Sequence, residues 1–326
     1  MLGSGGSLNS GGGNLAQGPN SMSLLFGLPE CSHTANNLCD LPALKPGYFA
    51  IARYENQELH ATIESQVSGE HCFLLGSIAP PECQMGSLLL LAHTLKKEGA
   101  SRVTGILPYL AYTREDKLKP GQSLATAWMG ALLKASGFDE IWTIDLHSEQ
   151  DKKLFPLALQ SLSPSFLFGE CLGKLELGGA SFVSPDQGAI PRCEAMASAA
   201  GVKAGDIVYF EKRRTASGIV HHDCVGQVAR RAVIVDDILD TGATLVSACE
   251  KLVSAGAEEL YICVTHGLFT GRQWQNLWSL PVKHIFCTDT IPACAGMQDP
   301  RITILSVAPV LRERLLRAGC NAETAS

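Results

Sequence analysis

Residues 231–245 read RAVIVDDILDTGATL. Ala232 to Val235 form a short apolar run rich in β-branched residues, the pattern of a strand buried on both faces. Two adjacent carboxylates, Asp236 and Asp237, follow it; Asp240 then opens the turn D-T-G-A-T, and residues 243–255 have helical length and periodicity. A strand that ends in a tight polar turn and runs into a helix aims free backbone N–H groups at one point, which makes an anion site. Gly242 lets the backbone approach closely, and Thr241 and Thr244 add hydroxyl donors. The paired acids repel an anion, so they suit something else: a polyol, whose hydroxyls donate to carboxylates, or a metal-bound sugar. An acidic N-cap that merely starts a helix would need one Asp, and here there are three.

Outward from this motif, strands and helices alternate along most of the chain. SLLFGL, YFAIARY, HCFLLG, RVTGILPYL and EIWTIDL read as strands in the first half, with residues 84–98 and 122–136 as helices between them. ASFVSPD, DIVYFEK, RAVIVDD, ELYICVTHG, HIFCTD and ITILSV repeat the habit in the second half, with helices over 191–200, 243–255 and 308–318. Such alternation predicts parallel sheets covered on both faces, in two related α/β domains with a cleft between them. The break falls near QSLSPSFLFGE, residues 160–170, giving an N-terminal domain over 22–163 and a C-terminal domain over 164–320. The last helix is a candidate to pack back on the N-terminal domain. Residues 1–21 are rich in Gly, Ser and Asn, and they read as a tail or an appended remnant, with Met22 as the native start.

Composition narrows the class. At 326 residues the chain has room for about two domains, and 46% hydrophobic residues supply their cores. The balance of 26 basic against 32 acidic side chains gives a net charge of −6, so no global positive field points to nucleic acid. No basic segment precedes an apolar core, and the longest apolar run, Leu88 to Ala92, is far short of the ~20 residues a bilayer span needs. The 12 cysteines include no C-x-x-C pair, and several, such as Cys263 and Cys287, lie inside strand-like runs. They read as reduced, mostly buried thiols of a cytoplasmic protein.

Further segments add to the 231–245 motif. They are LPYLAYTREDK (107–117), TIDLHSEQ (143–150), FVSPDQGAIPR (182–192), FEKRR (210–214), RYENQE (53–58), VTHGLFTG (264–271) and CTDTIP (287–292). In order and approximate spacing they resemble the ribose-phosphate diphosphokinases, the PRPP synthetases, from about Ser23 to about Arg317. Phosphoribosyltransferases share the D-D-x-x-D-T-G loop without the other segments. The resemblance implies two phosphoribosyltransferase-type domains with parallel sheets, related by pseudo-twofold symmetry. It implies transfer of the β,γ-diphosphoryl group of Mg·ATP to the anomeric hydroxyl of ribose 5-phosphate, giving PRPP and AMP. Its partners are then ATP, ribose 5-phosphate and Mg2+, with no nucleic acid and no membrane. It further implies a homo-oligomer in which a neighbouring subunit completes the ATP site. LKPGQSLATA, after T-R-E-D-K, is closer to the archaeal-type subclass, which implies absence of the familiar allosteric regulation.

Residue by residue, the resemblance assigns Asp236, Asp237, Asp240, Thr241, Gly242, Ala243 and Thr244 to ribose 5-phosphate. It assigns Arg114 and Glu115 to ATP, with Glu115 standing where the common pattern has Gln. Tyr54, in place of the usual Phe, with Asn56 and Glu58, matches the segment that reads adenine across the subunit interface. His147 and Asp186 match metal ligands, and His147 also faces ATP. After Gly188 this chain has Ala189, Ile190, Pro191 and Arg192, where the family often has Gly-Val-Lys-Arg. Lys212 and Arg214 match the catalytic cations that close over the phosphates. No general base stands out, and Asp240 is the nearest candidate. Two alternatives remain: a non-catalytic, regulatory subunit of the same family, and a phosphoribosyltransferase.

Overall fold

The computed structural model describes residues 23–80, 84–175, 177–202, 207–214 and 220–320, with the backbone alone at 212–214, 220–223 and 295. The tail, residues 1–21, lies outside them, as does Cys83.

The N-terminal half contributes β1 (Ser23–Gly27), β2 (Leu44–Pro46), β3 (Phe49–Arg53), β4 (Leu59–Ile63), β5 (His71–Leu75), β6 (Arg102–Ile106), β7 (Glu140–Ile144) and β8 (Ala158–Leu162). Its helices are α1 (Ser32–Asn36), α2 (Met85–Lys97) and α3 (Ala125–Ala135). The C-terminal half contributes β9 (Ser181–Ser184), β10 (Val208–Arg214), β11 (Val220–Val225), β12 (Arg231–Leu239), β13 (Glu259–Gly267), β14 (Val282–Thr288) and β15 (Ile302–Leu305). Its helices are α4 (Ser165–Leu172), α5 (Ile190–Ala199), α6 (Ala243–Ser254) and α7 (Ala308–Arg317).

Among the described residues, one sheet runs β2-β1-β5-β6-β7-β8, parallel throughout. The other runs β11-β10-β9-β12-β13-β14-β15, parallel except for the antiparallel β10–β11 edge pair. β5 and β7 are buried at every position, which is why they read as mostly apolar stretches. The YFAIARY stretch departs from the expected parallel sheet. β3 pairs antiparallel with β4 in a separate two-stranded hairpin, whose alternating burial marks a ribbon with one face in solvent. β12 also runs on past the expected Val235 to Leu239, so Asp236 and Asp237 lie within the strand and are held by its pairing with β13.

The two sheets are not packed as independent units. One apolar cluster joins Leu74, Leu107 and Leu146 to Leu239, Leu260 and Ile262. Helix α7 turns its Val310, Leu311 and Leu315 into a second cluster with Leu25, Phe73, Ile106 and Trp142 of the N-terminal sheet. Arg314 on the same helix stacks its guanidinium 4.1 Å over the Trp142 ring and donates to Gln160 at 2.9 Å. Among the described residues the cysteines are free thiols, most of them buried.

His71 gives this core a pH signature. It is buried at the start of β5, 2.8 Å from the Thr104 hydroxyl, and burial, with the Arg102 charge adding to it, pushes its pKa down to about 4. The unfolded chain binds that proton near 6.5, so the folded state binds fewer protons between those values. The stability this group contributes is complete above about pH 6.5 and is lost as pH falls toward 4. Between about pH 7 and pH 4.5, wild type should lose about 2 kcal/mol more unfolding free energy than His71→Gln in urea titrations. Parallel losses in the two proteins would refute this assignment.

Candidate active site

The carboxyl ends of both sheets face one cleft. In the C-terminal sheet, chain order reverses between β9 and β12, the place where open α/β sheets bind ligands. Asp186 follows β9, and the 236–244 segment belongs to β12 and the turn into α6, so the reversal sets them side by side. Asp186, Asp236, Asp237, Asp240 and residues 241–244 line one pocket together with Arg114 and His147 from the N-terminal half.

The turn into α6 is built as the sequence predicts. Gly242 is the N-cap residue with φ 85°, a left-handed conformation that glycine adopts without strain. It also lies close to its neighbour: a Cβ added there would stand 2.5 Å from the Trp274 Cα. Thr241, Ala243 and Thr244 are exposed around it, with the first backbone N–H groups of α6 beside them.

Side-chain contacts tie this half-site to the N-terminal domain. Arg114 Nη1 donates to Asp240 Oδ2 at 2.8 Å. His147 Nδ1 lies 2.6 Å from Asp237 Oδ2. Arg192 Nε, from α5, donates to Asp145 Oδ1 at 2.8 Å. Both halves of the predicted site therefore meet: Arg114 and His147, expected on the ATP side, are paired to Asp240 and Asp237, expected on the ribose side.

The electrostatics separate the two adjacent acids. Burial raises the Asp236 pKa well above the usual carboxylate range, and the neighbouring Asp237 charge raises it further. Burial pushes Asp237 in the same direction, but the hydrogen bond from His147 and the Arg192 charge outweigh it and hold Asp237 well below that range. Asp237 is the ionised member of the pair. The same hydrogen bond raises the His147 pKa against the opposing effect of burial. Asp240 is also lowered: its partial burial is overcome by the Thr270 hydroxyl and by Arg114. A carboxylate so stabilised is a weak base, which argues against Asp240 as the proton acceptor and for it as an anchor.

Asp186 caps the turn at 187–189: its Oδ1 accepts from Ala189 N–H at 3.1 Å, and its carbonyl accepts the Ser184 hydroxyl at 2.6 Å. Glu115 accepts a hydrogen bond from Ser123 and lines an adjoining part of the cleft with Lys117 and Gln122. Among the described residues no three His, Cys, Asp or Glu side chains converge as a chelating group. His147 and Asp186 line the same cleft as a sparse donor set.

One group of predicted residues does not join the cleft. Tyr54, Asn56 and Glu58 are exposed at the tip of the β3–β4 hairpin, and the bonds found there are local: Asn56 Oδ1 accepts from Glu58 N–H at 3.1 Å, and Tyr54 N–H donates to Glu58 O at 3.0 Å. Lys212 and Arg214 lie on β10, in register with His222 and Val220 of β11, and their side chains are outside the described residues. Conversely, Asp145, Thr265, His266 and Arg192 sit in the cleft wall with no role assigned from sequence. Their signal was available: Asp145, Thr265 and His266 are polar residues at the carboxyl ends of buried strands, and Arg192 lies at the start of a helix beside the cleft.

Fold and cleft define a two-domain α/β protein whose sheets meet at a cleft lined by carboxylates and arginines. The model for the N-terminal domain of ribose phosphate pyrophosphokinase matches residues 23–137, and the phosphoribosyl synthetase-associated domain matches residues 211–326. The ribose-phosphate pyrophosphokinase of Campylobacter jejuni is 32% identical over 292 residues, 88% of this chain and 92% of that protein. That of Haemophilus influenzae is 32% identical over 279 residues, 83% of this chain and 88% of that protein. The crystal structure of phosphoribosylpyrophosphate synthetase from Mycobacterium smegmatis superposes with a TM-score of 0.80 at 26% identity, covering 92% of this chain and 99% of that one. The chain belongs to the ribose-phosphate pyrophosphokinase family. Among the described residues no helix is long and apolar enough to cross a membrane.

Proposed function

We propose that this chain is a ribose-phosphate pyrophosphokinase that moves the β,γ-diphosphoryl group of ATP onto the anomeric hydroxyl of ribose 5-phosphate. The observation that carries the reading is the cross-domain pairing of Arg114 with Asp240 and of His147 with Asp237, which brings a cation and a histidine of one domain to the acidic turn of the other.

In this reading Asp236 and Asp237 accept hydrogen bonds from the ribose hydroxyls. The backbone N–H groups at 241–244 and the start of α6 hold the 5-phosphate. The anomeric hydroxyl oxygen attacks the β-phosphorus and gives up its proton to solvent, a new O–P bond forms, and the bond between the α-β bridging oxygen and the β-phosphorus breaks, releasing AMP. Positioning and charge neutralisation supply most of the catalysis in such transfers. Arg114 leaves Asp240 to meet the nucleotide phosphates, and Lys212 and Arg214 add positive charge from β10. A magnesium ion arriving with the nucleotide would supply further neutralisation, and His147 with Asp186 would hold it. Two protein donors suit an ion that keeps most of its water. The exposed hairpin tip, Tyr54 to Glu58, is read as the adenine contact of a neighbouring copy, because it lies away from the cleft of its own chain.

The test is a product assay with ribose 5-phosphate, ATP and Mg2+. AMP and PRPP in equal amounts are expected. ADP without PRPP would overturn the proposal, and no turnover with or without inorganic phosphate would favour a non-catalytic subunit.

A further inference from the structure

Building on the diphosphoryl-transfer reading, we propose that Asp145, Arg192 and His266 form a positioning clamp that sets the distance between the two half-sites. Asp145 follows β7, two residues before His147, with φ 48°, a left-handed conformation uncommon outside glycine and best tolerated by Asn and Asp. The surroundings here come from the other domain. Arg192 Nε donates to Asp145 Oδ1 at 2.8 Å, and the Thr265 hydroxyl donates to Oδ2. Arg192 Nη2 also reaches the Leu146 carbonyl at 3.4 Å. His266 Nε2 faces the Asp145 carbonyl at 3.4 Å, while its Nδ1 is held by Thr290 Oγ1 at 2.9 Å. Its ring packs against Tyr109 with centroids 4.9 Å apart.

Both oxygens of the Asp145 carboxylate are thus occupied by protein donors, and the pair with Arg192 is sheltered, with side chains 13% and 15% exposed. This carboxylate holds the domains together rather than facing a substrate. Residues 145–147 are gripped from α5, β12 and β13 at once, because His147 is itself bonded to Asp237. In-line transfer needs reacting atoms about 3–3.5 Å apart, and in the proposed reading the ribose 5-phosphate loop and Arg114 belong to different domains. Any slip in domain register enters that distance directly, and a misplacement of about 1 Å costs about 100-fold in rate.

The clamp should therefore act on kcat and leave each substrate's own binding intact. Asp145→Asn strands the Arg192 charge and is expected to lower the melting temperature by about 5 °C. The double variant Asp145→Asn/Arg192→Met removes both charges and should regain most of that loss. Its dissociation constants for ribose 5-phosphate and for Mg·ATP, each measured alone by calorimetry, should stay within about 3-fold of wild type, while kcat remains about 100-fold down. Arg192→Lys keeps the charge but loses the two-point hold, and should fold normally with kcat reduced about 10-fold. Recovery of kcat to within about 3-fold of wild type in the double variant, or in Arg192→Lys, would overturn the clamp and leave the reaction standing. A wild-type protein that makes no PRPP would overturn the reaction, and the clamp with it.

Discussion

Gly242→Ala is expected to lower kcat/KM for ribose 5-phosphate about 100-fold or more. The cause is one methyl group. Gly242 has φ 85°, and a Cβ there would stand 2.5 Å from the Cα and 2.7 Å from the Cβ of Trp274. Backbone cannot rotate out of the way as a flexible side-chain end can, so the turn must move. Residues 241–244 would then aim their N–H groups away from the phosphate. The control is Gly256→Ala. Gly256 also has positive φ, 104°, but nothing lies within 4 Å of its added Cβ. That variant should lose only about 1 kcal/mol of stability and keep its kinetics. Equal kinetic behaviour of the two variants would show that the turn's close approach to Trp274 is not what shapes the site.

Lys212→Ala is expected to reduce kcat by about 10²–10³ with little change in the apparent affinity for ribose 5-phosphate. In the proposed reading Lys212 is a cation that meets charge developing on the transferring phosphates. Loss of such an interaction appears in kcat, because it is made in the transition state rather than in the ground state. Arg214→Ala should show the same sign. An unchanged kcat in Lys212→Ala would remove the β10 cations from the mechanism and leave Arg114 as the main phosphate contact.

The parts of this molecule legible in its sequence are those determined within one element and its next turn. The β12–turn–α6 unit is such a case: apolar run, acids, glycine and the start of the helix all fall within 15 residues. β8, by contrast, reads ALQSL and carries polar residues on a part-exposed edge, so it gives no strand signal. The β3–β4 hairpin needed the knowledge that Leu59–Ile63 would fold back on Phe49–Arg53 rather than join the sheet. The cross-domain pairs are the least legible. Arg114 and Asp240 are 126 positions apart, and Asp145 and Thr265 are 120 apart. No local pattern links them; only the docking of the two sheets does. For the same reason the acids 236 and 237 look equivalent in sequence and are not equivalent in the fold, since His147 reaches only one of them.

The most direct test of the central claim uses ATP labelled at its γ-phosphorus, with ribose 5-phosphate and Mg2+. The account predicts that the label appears in PRPP, in amounts equal to the unlabelled AMP, because the β and γ groups move as a unit. Label found in a ribose bisphosphate alongside ADP would contradict it, since that outcome means transfer of the terminal phosphoryl group alone.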